Sequence, residues 1–304
     1  MVTPGDRAYD LIISACALLI PLLLVALIIV TTIAAGPTLR DHLTDLLLGR
    51  EWNVARGRFG AAPAIIGTVI SALGATVIAT PVALCAAVFV SELAPRRLRG
   101  ALGFLLDTLA AIPSVVFGLW GALVLVPWLR TQLLAPVRAA DLFGMTGPAY
   151  GPSLLAAILI LAVMILPFIA AISREVLLAV PTTQREAALA LGATRWEMIR
   201  DAVLPYARSG IIGGILLGLG RALGETIAVA MVIGNRHAMP HSLFDPAESM
   251  AALLANEFAE ASDDAHLGAL MAVSAVLLLF TLLVNLGARL LVARVARPHG
   301  VVPS

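Results

Sequence analysis

Residues 181–205 read Pro-Thr-Thr-Gln-Arg-Glu-Ala-Ala-Leu-Ala-Leu-Gly-Ala-Thr-Arg-Trp-Glu-Met-Ile-Arg-Asp-Ala-Val-Leu-Pro, a polar, helix-forming stretch set between two long apolar ones. Thr183 stands three residues before Glu186, and Thr194 three before Glu197. At that spacing a threonine hydroxyl caps the first turn of a helix while the glutamate reaches back to the cap's backbone. Gly192 lies between the two caps, where a glycine can take the left-handed conformation that ends one helix before the next begins. The expectation is a twice-capped helical hairpin outside the membrane, with one face open as a docking surface.

The flanks are of a different kind. Hydrophobic residues make up 60% of the chain and charged residues 13%, with a mean hydropathy of +0.99, whereas soluble domains carry about 25% charged residues. Six apolar stretches reach the roughly 20 residues a spanning helix needs: about 11–33, 66–90, 101–128, 153–172, 209–234 and 267–288. All are expected as helices, because a lipid-exposed strand edge leaves backbone groups unpaired. The fold class is therefore an all-α membrane protein with one permease-like domain over 1–304. The first stretch follows Arg7 and precedes small residues, as a signal peptide would, but it is longer than the roughly 7–15 residues of a signal core. It is expected to remain as an uncleaved span.

All twenty basic residues are arginine. With the N-terminus inside, Arg7, Arg96, Arg97, Arg99, Arg174, Arg185, Arg195, Arg200, Arg208, Arg289, Arg294 and Arg297 fall on the cytoplasmic side. Arg40, Arg50, Arg56, Arg58, Arg130, Arg138 and Arg236 fall outside. Twelve against seven favours an N-in, C-in topology, which places the hairpin in the cytoplasm. The absence of lysine excludes a Walker A phosphate loop and a Schiff-base lysine, so the chain has no ATPase site of that type. Cys16 and Cys85 lie in apolar stretches and suggest no disulfide framework. His42, His237, His241, His266 and His299 are scattered. His237 and His241 have the spacing of a metal pair, but Pro240 disfavours a helix there, and a solvated loop without metal is expected.

The fifth stretch carries chemistry. A charge inside a bilayer costs roughly 2.5–3.5 kcal/mol on insertion scales, yet Arg221 and Glu225 both fall there, one helical turn apart. They share a face with Gly210, Gly214 and Gly218, a small-residue stripe that lets another helix approach closely. Two compatible readings stay open. The pair is a salt bridge that fixes helix packing, or Arg221 offers its guanidinium to a passing oxyanion that Glu225 helps to release. Asp107, expected near the inner start of the third span, either reaches the interface, pairs with the Arg96–Arg99 cluster or takes part in transport. Pro113 marks a possible mid-span kink, and Ser114 beside it and Thr226 are further pathway candidates. The external loop 235–266 bears Asp245, Glu248, Glu257, Glu260, Asp263 and Asp264 against one arginine, a poor surface for an incoming dianion and a candidate face for a binding protein.

The spacing Glu186-Ala187-Ala188, then Gly192, then Leu204-Pro205 resembles the EAA loop of ABC importer permeases, although an aliphatic residue is usual where Ala202 stands. The resemblance implies that Glu186, Ala187, Ala188, Gly192, Thr194 and Trp196 couple to a groove of an ATPase subunit. The strings Arg221-Ala222-Leu223-Gly224-Glu225-Thr226, Met231-Val232-Ile233-Gly234-Asn235 and Ile112-Pro113-Ser114-Val115-Val116-Phe117-Gly118 resemble the phosphate ABC permeases. Trp52, Phe59-Gly60, Pro63 and Gly67-Thr68 favour the PstC type over its PstA partner. What that family implies is a type I six-helix permease, a PstC–PstA heterodimer, two copies of a PstB ATPase and a phosphate-binding protein called PstS. It also implies a requirement for Arg221 and Glu225 in phosphate transport. No cofactor, metal or nucleic acid is called for. A stand-alone secondary transporter or channel should lack the capped hairpin and need an ion-coupling site, a permease for another oxyanion would share most of these features, and an intramembrane enzyme lacks its constellation of catalytic side chains.

Overall fold

Long runs of alanine, leucine, isoleucine and valine satisfy their backbone only as helices in an apolar medium, and this chain folds accordingly. The structure, a computed structural model, describes residues 4–134, 151–261 and 263–295; Arg138, Arg297 and His299 lie outside them. Among the described residues six helices are long and apolar enough to cross a membrane: Tyr9–Ala34, Ala62–Leu93, Ser114–Leu133, Leu154–Leu178, Arg195–Leu223 and Asp264–Leu290.

The fourth helix is the axis of the bundle, with 61% of its most apolar window buried against 0% for the first. Lipid is as apolar as leucine, so helices here associate by close packing rather than by escape from water. Ala72, Ala75, Ala79 and Ala83 form a small-residue stripe on the second helix, and they share one core cluster with Ile158, Leu161 and Ile165 of the fourth.

Two spans differ from expectation. The third is shifted: an amphipathic helix, Arg96–Ala110, ends at Ala111, and Pro113, with an extended ψ of 138°, precedes a new helix at Ser114. Pro113 is therefore a boundary, because a proline ring disfavours helical geometry in the residue before it, and Asp107 lies on the amphipathic helix instead of inside the span. The fifth begins earlier and ends earlier than 209–234. Its helix starts at Arg195 within the hairpin, passes through a wide π-type turn over Met198–Val203, and continues from Leu204 to Leu223. The break at Gly224–Thr226 leads into a short helix, Ile227–Ala230. The chain then reverses at Gly234 and Asn235, whose φ values are 100° and 47°, pairs Gly234 with Ala247, and enters the helix Met250–Glu257. Such irregular backbone is tolerated at membrane depth where protein surrounds it. Before the second span, Trp52–Asn53 and Arg58–Phe59 form a two-stranded antiparallel sheet.

Candidate translocation and coupling sites

The hairpin forms with one of its two expected caps. Thr194 Oγ1 accepts the backbone N–H of Glu197 at 3.3 Å, and Glu197 Oε2 accepts that of Thr194 at 2.8 Å, closing a reciprocal capping box. The Thr183 cap is absent. The first helix, Thr182–Ala190, starts directly after Pro181, whose ψ of 141° places it at the cap position, so Thr183 is already inside the first turn. Gly192 takes φ +86° between the helices, a conformation disfavoured for residues with a β-carbon. Ala188 packs inward on the cluster of Leu177, Val180, Met198, Ile199 and Val203, while Glu186, Ala187, Gly192 and Thr194 face out. Leu191 is 91% exposed and Trp196 60% exposed, leaving an apolar patch on a polar element.

The residues that anchor the hairpin escaped sequence reasoning. Arg185 donates from Nη2 to Glu92 Oε1 at 2.8 Å and from Nε to Glu92 Oε2 at 3.3 Å. It also donates to the carbonyls of Leu177 and Val180 at the end of the fourth span. Glu92 and Arg185 are 93 residues apart, and no local pattern links them.

At the other end of the fifth helix, the glycine stripe packs as expected. A β-carbon on Gly210, Gly214 or Gly218 would come within 2.5, 2.9 and 2.7 Å of Val176, Ile172 and Ile169 of the fourth span. One turn further on, the half-buried Arg221 places its guanidinium carbon 5.3 Å from the Phe168 ring centroid, a cation–π contact worth about 0.5–2 kcal/mol. It does not pair with Glu225, and no ion pair of Arg221 occurs among the described residues. The expected pairing assumed an unbroken helix, whereas the helix ends at Leu223 with Gly224 as its cap. Glu225 Oε1 instead accepts the backbone N–H of Ala228 at 3.2 Å, which holds the start of the short helix. Thr226 Oγ1 donates to the Gly224 carbonyl at 3.2 Å and lines a cavity of about 590 Å³ together with Thr31 and Ser274.

Arg221, Glu225 and Thr226 thus meet at one helix break. Ser114 opens the third span, whose Gly118 seats Ala228 of the short helix. Asp107 is not brought to this site: it pairs at 3.1 Å with Arg174, which also contacts Glu175 at 2.6 Å, and not with the Arg96–Arg99 cluster.

The far end is more ordered than a solvated acidic loop. Glu248 is 1% exposed and accepts from His237 Nδ1, whose Nε2 lies 3.4 Å from Glu257 Oε1. His266 Nε2 is 3.2 Å from Glu257 Oε2, but off the hydrogen-bonding direction and without a hydrogen-bond partner among the described residues. The Glu248 hydrogen bond raises the His237 pKa above its ordinary 6.5. Burial, which strips water from the charged form, raises that of Glu248. Asp245 Oδ2 accepts the backbone N–H groups of His241 and Ser242. Three of the six loop carboxylates are thereby engaged inside the protein, leaving Glu260, Asp263 and Asp264 exposed. His237 and His241 do not share a ligand, and no metal-capable group of three or more side chains occurs among the described residues. Phe59 stacks on His266 at 5.7 Å with Trp52 edge-on to both.

The chain has counterparts among known proteins. Residues 79–297 match the family described as binding-protein-dependent transport system inner membrane component. The chain belongs to that family. This inner-membrane component is 40% identical over 297 residues to the phosphate transport system permease protein PstC of Mesorhizobium japonicum, covering 95% of this chain and 90% of the relative. It is 39% identical over 295 residues to PstC 2 of Mycobacterium tuberculosis, covering 94% and 91%. Among solved structures, a bacterial alginate ABC transporter with its alginate-bound periplasmic protein gives a TM-score of 0.63 at 14% identity, covering 96% of this chain and 98% of that one. An inward-facing MetNI methionine ABC transporter gives 0.55 at 21% identity, covering 81% and 97%. The protein is a multi-pass inner-membrane permease subunit of the type I ABC importer fold, and membership of the family implies ATP-binding and substrate-binding partners.

Proposed function

We propose that this chain is the PstC-type subunit of an ATP-driven phosphate importer, oriented N-in and C-in, with ATP hydrolysed by partner subunits. Its partners are a PstA-like permease, two PstB-like ATPases, which receive the hairpin at Glu186, Ala187, Ala188, Gly192, Thr194 and Trp196, and a PstS-like binding protein at the far end. The observation that carries the reading is the single helix Arg195–Leu223. It starts in the hairpin and ends two residues past Arg221, an arginine without a carboxylate partner among the described residues, whose planar donors suit a tetrahedral oxyanion. At about 1.5 Å per residue such a helix spans roughly 40 Å, so it connects the docking element directly to the pathway. Glu225 and Thr226 shape the break at which the anion passes.

The test is the assembled complex in vesicles with its binding protein. Inorganic phosphate should stimulate both ATP hydrolysis and uptake, and sulfate should not. Stimulation by sulfate alone would reassign the substrate, and uptake by the isolated chain without ATP would favour a secondary transporter. Arg221→Gln should reduce uptake to background with the complex at normal abundance. Glu225→Gln should have the smaller effect, because the amide oxygen still accepts from Ala228. Equal loss from both would return the two residues to a single structural unit. Cysteines placed in 91–100 and in 235–261 should label from opposite sides of intact cells.

A further inference from the structure

The contact between Arg185 and Glu92 has no place in the functional reading so far, and its construction is unusual for the surface of a membrane protein. The Arg185 side chain is 18% exposed and that of Glu92 8%. Both carboxylate oxygens are engaged by two nitrogens of one guanidinium, and its remaining donors reach the Leu177 and Val180 carbonyls. Leu177 lies in the last turn of the fourth span and Val180 in the link just beyond it, at a helix end where carbonyls carry partial negative charge. Glu92 lies in the wide turn Phe89–Leu93 that ends the second span. One side chain of the hairpin's first helix therefore grips the ends of the two spans that share the core.

We propose that Arg185 and Glu92 form a positioning latch that transmits movement of the hairpin to the second and fourth spans, and so keeps transport in step with ATP hydrolysis. The inference rests on the hairpin's role as the ATPase-docking element. Two connections leave that element. The second hairpin helix continues into the fifth span through the backbone. The first helix joins the fourth span through the short link Ala179–Pro181 and the packing of Ala188 on Leu177 and Val180, and the latch makes that joint stiff. A bidentate arginine fork fixes direction as well as distance. It also holds its charge at every physiological pH. Without the fork, the first helix could rotate about the link while its partner stays docked, and ATP would be hydrolysed without moving the second and fourth spans.

The experiment measures phosphate taken up per ATP hydrolysed by the complete complex with its binding protein. Glu92→Gln keeps the shape and one acceptor but removes the charge. Uptake per ATP should fall roughly tenfold or more, with phosphate-stimulated hydrolysis retained. Arg185→Lys keeps the charge but loses the fork and should give an intermediate ratio. A merely structural contact would change the amount of complex and leave the ratio of the assembled fraction alone. If Glu92→Gln fails to assemble, Arg185→Lys decides. A wild-type ratio in either assembled variant, or failure of both to assemble, overturns the latch. Failure of the functional reading would look different, because the unaltered complex would then show no phosphate-stimulated hydrolysis.

Discussion

The two ends of the bundle are tied in the same geometric way with different basic side chains. At the hairpin end the guanidinium of Arg185 lies between Glu92 and the end of the fourth span; at the far end the imidazole of His237 lies between Glu248 and Glu257. Arginine stays protonated throughout the physiological range, whereas histidine titrates within it. Equivalent contacts therefore give a permanent joint on one side and a titratable one on the other. In the proposed orientation the permanent joint faces the buffered cytoplasm and the titratable one the external medium.

The largest effect expected from breaking the hairpin end is at Gly192. A valine there would have to hold φ +86°, which costs on the order of 1–3 kcal/mol locally. Gly192→Val should insert normally yet abolish ATP-driven uptake; normal uptake would remove the hairpin from the coupling path. At the far end, Glu248→Ala removes the buried acceptor of a partly exposed histidine and should lower the stability of the purified protein by on the order of 1 kcal/mol, seen in thermal unfolding in detergent. A neutral result would show that Glu257 alone holds His237.

Next in size is pH dependence, which separates the ends most directly. His237 has a raised folded pKa, so folding tightens its proton. The stability it contributes is complete below its ordinary 6.5 and is lost as pH climbs through the higher folded value. The raised pKa of Glu248 acts with the same sign. The thermal midpoint should therefore decline as pH rises above 6.5, and His237→Gln should flatten that part of the profile. An unchanged slope in His237→Gln would assign the titration elsewhere. Last, Thr194→Ala should cost about 1 kcal/mol and Thr183→Ala less than about 0.5 kcal/mol, measured by hydrogen exchange in 182–200. Equal costs would contradict the single cap.

The contrast between Thr183 and Thr194 also shows what was legible beforehand. Both stand in the same three-residue relation to a glutamate, but Pro181 takes the cap position two residues ahead of Thr183, so the first helix has begun before a Thr183 cap can form. Spans with continuous apolar character were readable because twenty such residues have few alternatives in lipid. Their boundaries at Pro113 and Gly224 were less so, since hydropathy averages over a single break. The break at Gly224 also decided the site. Arg221 and Glu225 stand on either side of that break, and the i, i+4 pairing read from their spacing required a helix that stops between them. The Arg185–Glu92 and His237–Glu248 contacts depend on how segments far apart in the chain, or across a reversal of direction, come together.

The wide turn at Met198–Val203 sets the angular phase between the hairpin and everything above it. Such a turn holds more residues than a regular helical one, so the faces on either side are offset. Each residue of a helix turns its neighbours by about 100°. Removing a single residue from this turn would restore ordinary winding and swing Trp196 by about that angle relative to Arg221. Exposed side chains in the segment can therefore change freely while its length cannot: it works as a gauge block whose dimension, rather than surface, is what the assembly reads.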